Sequence, residues 1–127
     1  MKRKYRVSLL PYVVSTVILL TSCTPKHVGY EKIHIAHLHE LNSQGLLGGV
    51  GSYRAISYEF CIPRNEEYVR TIKGIEPNIR VQRAAGRIGC TKEEYLCIGH
   101  TNEDYKTTFK ELLSLHYIHR IQEAFFE

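Results

Sequence analysis

Residues 54–63 read Arg54-Ala55-Ile56-Ser57-Tyr58-Glu59-Phe60-Cys61-Ile62-Pro63, and this stretch decides the fold of the 127-residue chain. Large apolar side chains occupy every second position: Ile56, Tyr58, Phe60 and Ile62. A period of two predicts a β-strand with one buried face. Pro63 ends the strand because proline has no amide hydrogen for a sheet ladder. We expect this strand to open a small folded domain over residues 53–127.

A helix and a short second strand are predicted after this strand. Asn65 is a good N-cap, the acidic residues 66–67 suit the first turn of a helix, and Gly74 suits its end. Ile79 and Val81 then alternate as the inward side chains of a short strand.

The next segment predicts a hairpin. Its arms are Arg87–Cys90 and Tyr95–Gly99, joined by Thr91–Glu94. We expect Leu96 and Ile98 of the second arm to face the same core as the first strand.

A second helix follows the hairpin. Thr101-x-x-Asp104 has the pattern of a capping box. Apolar side chains then recur at helical spacing: Tyr105, Phe109, Leu112 and Leu113. We end this helix near Leu115 and predict a strand within residues 116–126.

The predicted order of elements is βαββαβ. This order is the ferredoxin-like arrangement, an α+β fold with an antiparallel sheet and two helices on one face. Fold alone carries no functional information.

This topology gathers Cys61, Cys90 and Cys97 at one edge of the sheet, with Cys61 and Cys97 on the face away from the apolar core. Outside the cytoplasm two clustered thiols oxidise, so we expect one structural disulfide that joins Cys61 to Cys90 or to Cys97. One thiol then stays free. Two alternatives remain open: a metal site that adds His100, and a redox-active pair.

The N-terminus has the layout of a secretory signal. Four of residues 2–6 are basic, and a mainly apolar stretch of 14 residues follows from Val7 to Leu20. About 20 apolar residues are needed to cross a bilayer, so a permanent span fits poorly. The sequence Leu20-Thr21-Ser22-Cys23 resembles the lipobox of bacterial lipoproteins.

This resemblance implies that residues 1–22 are a signal peptide and that Cys23 carries a lipid. It also implies a cell-envelope location. Since Thr24 rather than an acidic residue follows the cysteine, the expected site is the outer membrane, facing the periplasm. The lipid would be the contact with the membrane, because each buried acyl methylene contributes about 0.8 kcal/mol.

Residues 23–52 predict a flexible tether between the lipid and the domain. Gly45–Ser52 has the composition of a connector. Residues 31–42, which precede this connector, fit a short helix. This segment carries His34, His37 and His39, whose H-x-x-H-x-H spacing is a candidate metal site. The alternative is that these rings are solvated polar positions.

Charge excludes one class of function. The whole chain has a net charge of +4, but four of its 17 basic residues fall in residues 1–22. The remaining 13 basic residues balance the 13 acidic ones. A neutral mature chain with scattered Lys and Arg does not predict nucleic-acid binding.

No catalytic or cofactor motif stands out in the sequence. We therefore expect no cofactor and a non-catalytic domain with a binding or structural role, whose partner is an unidentified protein. Tyr53 and Tyr95 favour this interpretation because tyrosine is enriched where proteins meet. A metal-handling or thiol-redox protein is the first alternative, and an immunity or inhibitor protein is the second.

Overall fold

In a computed structural model, the protein is described over residues 29–126. The expected signal peptide, Cys23 and the first residues of the expected tether lie outside this range. Seven strands and two α-helices follow in chain order: β1 (Ile33–His34), β2 (Leu46–Leu47), β3 (Arg54–Ala55), β4 (Ser57–Pro63), α1 (Glu66–Ile75), β5 (Arg80–Gln82), β6 (Glu94–His100), α2 (Tyr105–Ser114) and β7 (Ile121–Glu123). Among residues 29–126, no helix has the length and apolar character needed to cross a membrane.

The main sheet has five strands in the order β1-β7-β4-β6-β5. The pairs that β4 makes with β6 and β7 are antiparallel, as is the pair β5–β6. The β1 strand instead runs parallel to β7. The predicted α+β class is therefore confirmed, but the prediction of a purely antiparallel sheet is wrong. The reason is that residues 33–34, which we assign to the tether, add an edge strand.

Both helices pack on the same face of the sheet. Phe60 and Ile62 of β4 share one buried cluster with Ile72 of α1 and Phe109 of α2. The rings of Tyr58 and Phe109 meet edge to face, with centroids 4.9 Å apart. Burial of these large apolar side chains supplies the main driving force for folding. We call this cluster the main core.

The first turns of the two helices are stabilised differently. The Asn65 side chain accepts a hydrogen bond from an amide of the first turn of α1, as its N-cap role predicts. At α2 the predicted capping box is absent, because the Asp104 side chain makes no cap bond. Thr101 Oγ1 instead accepts from the Ile56 amide at 2.9 Å and donates to the Gly45 carbonyl at 2.6 Å. Thr101 therefore fastens the N-terminal segment to the sheet.

Residues 29–47 pack against the domain, which differs from the flexible tether that the sequence predicts, whereas residues 48–52 are exposed. Ile35 is buried in the main core. Two 3-10 turns, Tyr30–Lys32 and Leu38–Glu40, replace the short helix. The β2 strand pairs with β3 in a second, two-stranded sheet. These contacts order the segment because its apolar side chains cover the main core.

Residues 83–93, which connect β5 to β6, lie over the second face of the sheet. We call this connection the strap. Its residues 86–89 form turns, so the predicted hairpin arm Arg87–Cys90 is not a strand. The reason is that Ile88 and Cys90 pack against Leu96 and Ile98 in a second, smaller core.

The register of β4 and β6 explains why two cores exist. Cys97 lies opposite Phe60, and Leu96 lies opposite Cys61. Leu96 and Ile98 therefore face the strap, and the prediction that they share the main core is wrong. A shift of one residue moves every side chain of a strand to the other face.

Candidate functional site

The strap is covalently tied to the sheet. Cys61 of β4 and Cys90 of the strap form a disulfide, with Cα atoms 5.5 Å apart. The predicted structural disulfide is confirmed, and the partner that the sequence left open is Cys90.

Cys97 remains a free thiol in a different place from the one predicted. It is fully buried in the main core, so the prediction that it shares the face of Cys61 is wrong. Burial raises the pKa of the Cys97 thiol to about 12, because a thiolate would lose its hydration there. The thiol is therefore protonated at neutral pH and is not a nucleophile.

A buried carboxylate holds the strap at a second point. Glu59 of β4 is 4% exposed. Its Oε1 accepts from the Ile88 amide at 2.7 Å and from Gln122 Nε2 at 2.9 Å. Gly86 of the strap lies close against the Glu59 side chain. A Cβ added at Gly86 would stand 2.8 Å from Leu96 Cδ1 and 2.9 Å from Glu59 Oε2, so a larger residue does not fit there without a shift. The φ of +62° at Gly86 also favours glycine.

The candidate metal-binding histidines do not converge. His34 is exposed on β1. The His37 Nδ1 atom lies 3.1 Å from Glu40 Oε1, and His39 Nε2 lies 3.6 Å from the same oxygen. The hydrogen bond from His37 lowers the pKa of the exposed Glu40 carboxyl. Across residues 29–126, no group of three His, Cys, Asp or Glu side chains is arranged to hold a metal ion.

The N-terminal segment and α2 enclose an apolar groove of about 430 Å³. We call it the Tyr30 groove. Its apolar lining residues are Tyr30, Ile33, Leu38, Leu41, Tyr105 and Phe109. Tyr30 is 57% exposed. This volume lies within the range of ligand-binding pockets, which are mostly apolar with a few polar groups.

The polar groups of the Tyr30 groove are Lys106 and His39. The Lys106 ammonium lies 5.8 Å from the centroid of the Tyr105 ring. A ligand in this groove would therefore meet apolar walls and a cation. Sequence reasoning missed the groove because five of its eight lining residues lie in the segment that predicts a tether: Tyr30, Ile33, Leu38, His39 and Leu41.

A second concavity lies between the two ends of the strap, and its lining is more polar and more cationic than that of the Tyr30 groove. Its volume is about 170 Å³, and three of its lining residues are cationic: Arg64, Arg83 and Lys92. We call it the basic pocket. Sequence reasoning treats these residues as scattered, because nothing local in the chain relates the end of β4, the end of β5 and the strap.

Comparison of the chain with protein-family models, curated proteins and solved structures finds no match. The candidate sites therefore rest on the geometry of the chain itself.

Proposed function

We propose that the protein is a lipoprotein of the cell envelope, anchored through a lipid on Cys23 to the outer membrane and facing the periplasm. Its domain binds a protein partner and does not catalyse a reaction. The observation that carries the binding role is the Tyr30 groove. It leaves apolar side chains of the N-terminal segment, such as Tyr30, partly exposed.

The disulfide supports the proposed location. Disulfides persist in oxidising compartments such as the periplasm and are rare in the cytosol. Cys61 and Cys90 are 29 residues apart in sequence, so folding brings them together. A secretory signal would deliver the chain to a compartment in which this bond forms.

The position of the groove restricts the partner. Tyr30 follows Cys23 by seven positions, and an extended chain of that length spans at most about 25 Å. A domain held by a lipid on Cys23 would therefore keep the Tyr30 groove close to the membrane. The expected partner is a protein of the same membrane, one segment of which is seated in the groove.

Charge complementarity defines the chemistry of that segment. The groove offers apolar walls and the Lys106 ammonium, which makes no ion pair among residues 29–126. A fitting segment presents an apolar side chain with a carboxylate nearby, because the carboxylate would pair with Lys106.

We also propose that the four strands from β4 to β7 form a ferredoxin-like unit to which β1 is added. The order β7-β4-β6-β5 and the antiparallel pairs between these neighbours support this interpretation. The unit would serve as a scaffold on which residues 29–52 build the groove.

A photoreactive phenylalanine analogue at position 30 tests the binding role in intact cells. Position 53 is the matched control, since Tyr53 is exposed to a similar extent (53% against 57%) but does not line the groove. We expect a discrete adduct with one envelope protein from position 30 and none from position 53. Lys106→Glu should abolish the adduct. Equal adducts from both positions, or an adduct that survives Lys106→Glu, would contradict the proposal.

A further inference from the structure

The basic pocket brings together three cations from two parts of the chain. Arg64 follows β4, whereas Arg83 and Lys92 lie near the two ends of the strap. The other lining residues are Ala84, Ala85, Cys90 and Thr91. None of the lining residues is acidic.

The three cations are not neutralised by carboxylates of the domain. Within residues 29–126, the ion pairs found within 4.0 Å join Glu40 to His37 and His39, and none involves Arg64, Arg83 or Lys92. Glu94, whose carbonyl accepts a hydrogen bond from Arg64, and Glu66, which lines a neighbouring concavity with Arg83, have other hydrogen-bond partners. Glu94 Oε1 accepts from the Thr91 amide at 2.9 Å, and Glu66 Oε1 accepts from the Tyr95 hydroxyl at 3.3 Å.

The pocket is also held in shape. The disulfide to Cys61 fixes Cys90. Arg64 Nε donates to the Glu94 carbonyl at 3.1 Å, and the Arg64 guanidinium lies 5.5 Å from the centroid of the Tyr95 ring. These contacts restrain Arg64 while they leave its terminal N–H groups available as donors. Like charges in one concavity repel one another, so an anion that enters it relieves this repulsion.

We propose that the basic pocket binds a phosphate group, either free phosphate or the headgroup of a phospholipid. Free phosphate, like a phosphate monoester, carries about −1.5 to −2 charges at pH 7 and three or more acceptor oxygens, which matches three cationic donors better than a single carboxylate does. A diester headgroup such as that of phosphatidylglycerol carries one charge and two free acceptor oxygens, so it would make fewer of these contacts. The pocket volume equals that of five to six water molecules at about 30 Å³ each, enough for a tetrahedral oxyanion. This site shares no residue with the Tyr30 groove and does not depend on a lipid at Cys23.

Titration calorimetry with inorganic phosphate tests the site, on the full chain purified in a non-ionic detergent. The variants Arg83→Gln and Lys92→Gln each remove one cation from the pocket. Lys110→Gln is the matched control because Lys110 is exposed on α2 and its loss changes the net charge equally. We expect one phosphate to bind per chain. The dissociation constant for phosphate should rise about tenfold or more in each pocket variant and change by less than about twofold in the control.

A second arm distinguishes the two sources of phosphate. The same titration is repeated in detergent micelles that contain phosphatidylglycerol. If phosphate no longer binds in these micelles, and if Arg83→Gln also releases the lipid, then the pocket binds a lipid headgroup. Unchanged phosphate binding assigns it to a soluble phosphate. The proposal is overturned if neither probe binds saturably, or if Lys110→Gln weakens binding as much as the pocket variants do. Arg83→Lys keeps the charge and should restore at least part of the affinity lost in Arg83→Gln.

Discussion

The Glu59 carboxylate of β4 accepts a hydrogen bond at 2.7 Å from the backbone amide of Ile88, a residue of the strap. The Cys61–Cys90 disulfide lies two residues further along both segments. A covalent bond and a buried carboxylate therefore fix the strap over the second face of the sheet, and Ile88 closes the small core there. The basic pocket is lined by residues from both ends of this fixed loop.

Glu59→Ala should destabilise the domain by about 1–3 kcal/mol. The Ile88 amide and the Gln122 side-chain amide would both lose their acceptor, and a buried donor without a partner is unfavourable. Urea unfolding followed by circular dichroism measures the change. Glu93→Ala is the control, since Glu93 is an exposed residue of the strap and its loss should change stability by less than about 0.5 kcal/mol. Equal effects of the two variants would refute the anchoring role of Glu59.

Cys90→Ala should lower the free energy of unfolding by about 2–4 kcal/mol. The bond closes a loop between residues 29 apart, and its loss widens the unfolded ensemble. Cys97→Ala should cost about 1 kcal/mol, because only the small buried sulfur is removed. The same unfolding assay compares them. If Cys97→Ala proved the more destabilising, the structural role assigned to the disulfide would be wrong.

Thr101→Val should loosen residues 29–52 while the sheet stays folded. Valine has the shape of threonine but loses the hydrogen bonds to the Ile56 amide and the Gly45 carbonyl. Hydrogen exchange followed by mass spectrometry should show faster exchange in peptides that cover residues 42–47. Thr107→Val, at an exposed position of α2, serves as the control and should leave those peptides unchanged. Uniformly faster exchange over the whole domain would instead indicate global destabilisation.

Stability should fall as the pH rises above about 9. The Cys97 thiol has an ordinary pKa of 9.0, and burial raises it to about 12 in the folded protein. Because only the unfolded chain releases this proton between pH 9 and pH 12, deprotonation favours unfolding in that window. Burial also raises the pKa of Tyr58, which adds to the loss at the upper end. Thermal unfolding from pH 7 to pH 11 should show a smaller decline for Cys97→Ala, and an identical decline would contradict the role of the thiol.

Local pattern predicts much of this fold. The alternation around Phe60 predicts β4, and the helical spacing from Tyr105 to Leu113 predicts α2, because each side-chain period is a property of a single element. The Asn65 cap is equally local, since donor and acceptor lie two residues apart. Each of these features depends on residues that are close in sequence, and the structure contains β4, α2 and the Asn65 cap.

What sequence pattern could not predict depends on contacts between distant residues. Alternation alone does not decide which face of β6 meets the helices, so Cys97 and Leu96 exchange their predicted surroundings. The N-terminal segment has no clean period, and its order comes from Ile35 packing into a core formed by later residues. Arg64, Arg83 and Lys92 likewise become neighbours only when the strap folds back on the sheet.

The identity of the mature N-terminus tests the central claim most directly. Protein purified from membranes would be digested, and its N-terminal peptide analysed by mass spectrometry. The proposed function predicts a peptide that begins at Cys23 and carries acyl chains, and a Cys23→Ala variant that is released from the membrane or keeps residues 1–22. A membrane-bound protein with a free, unmodified N-terminus at any other residue would contradict the lipid anchor.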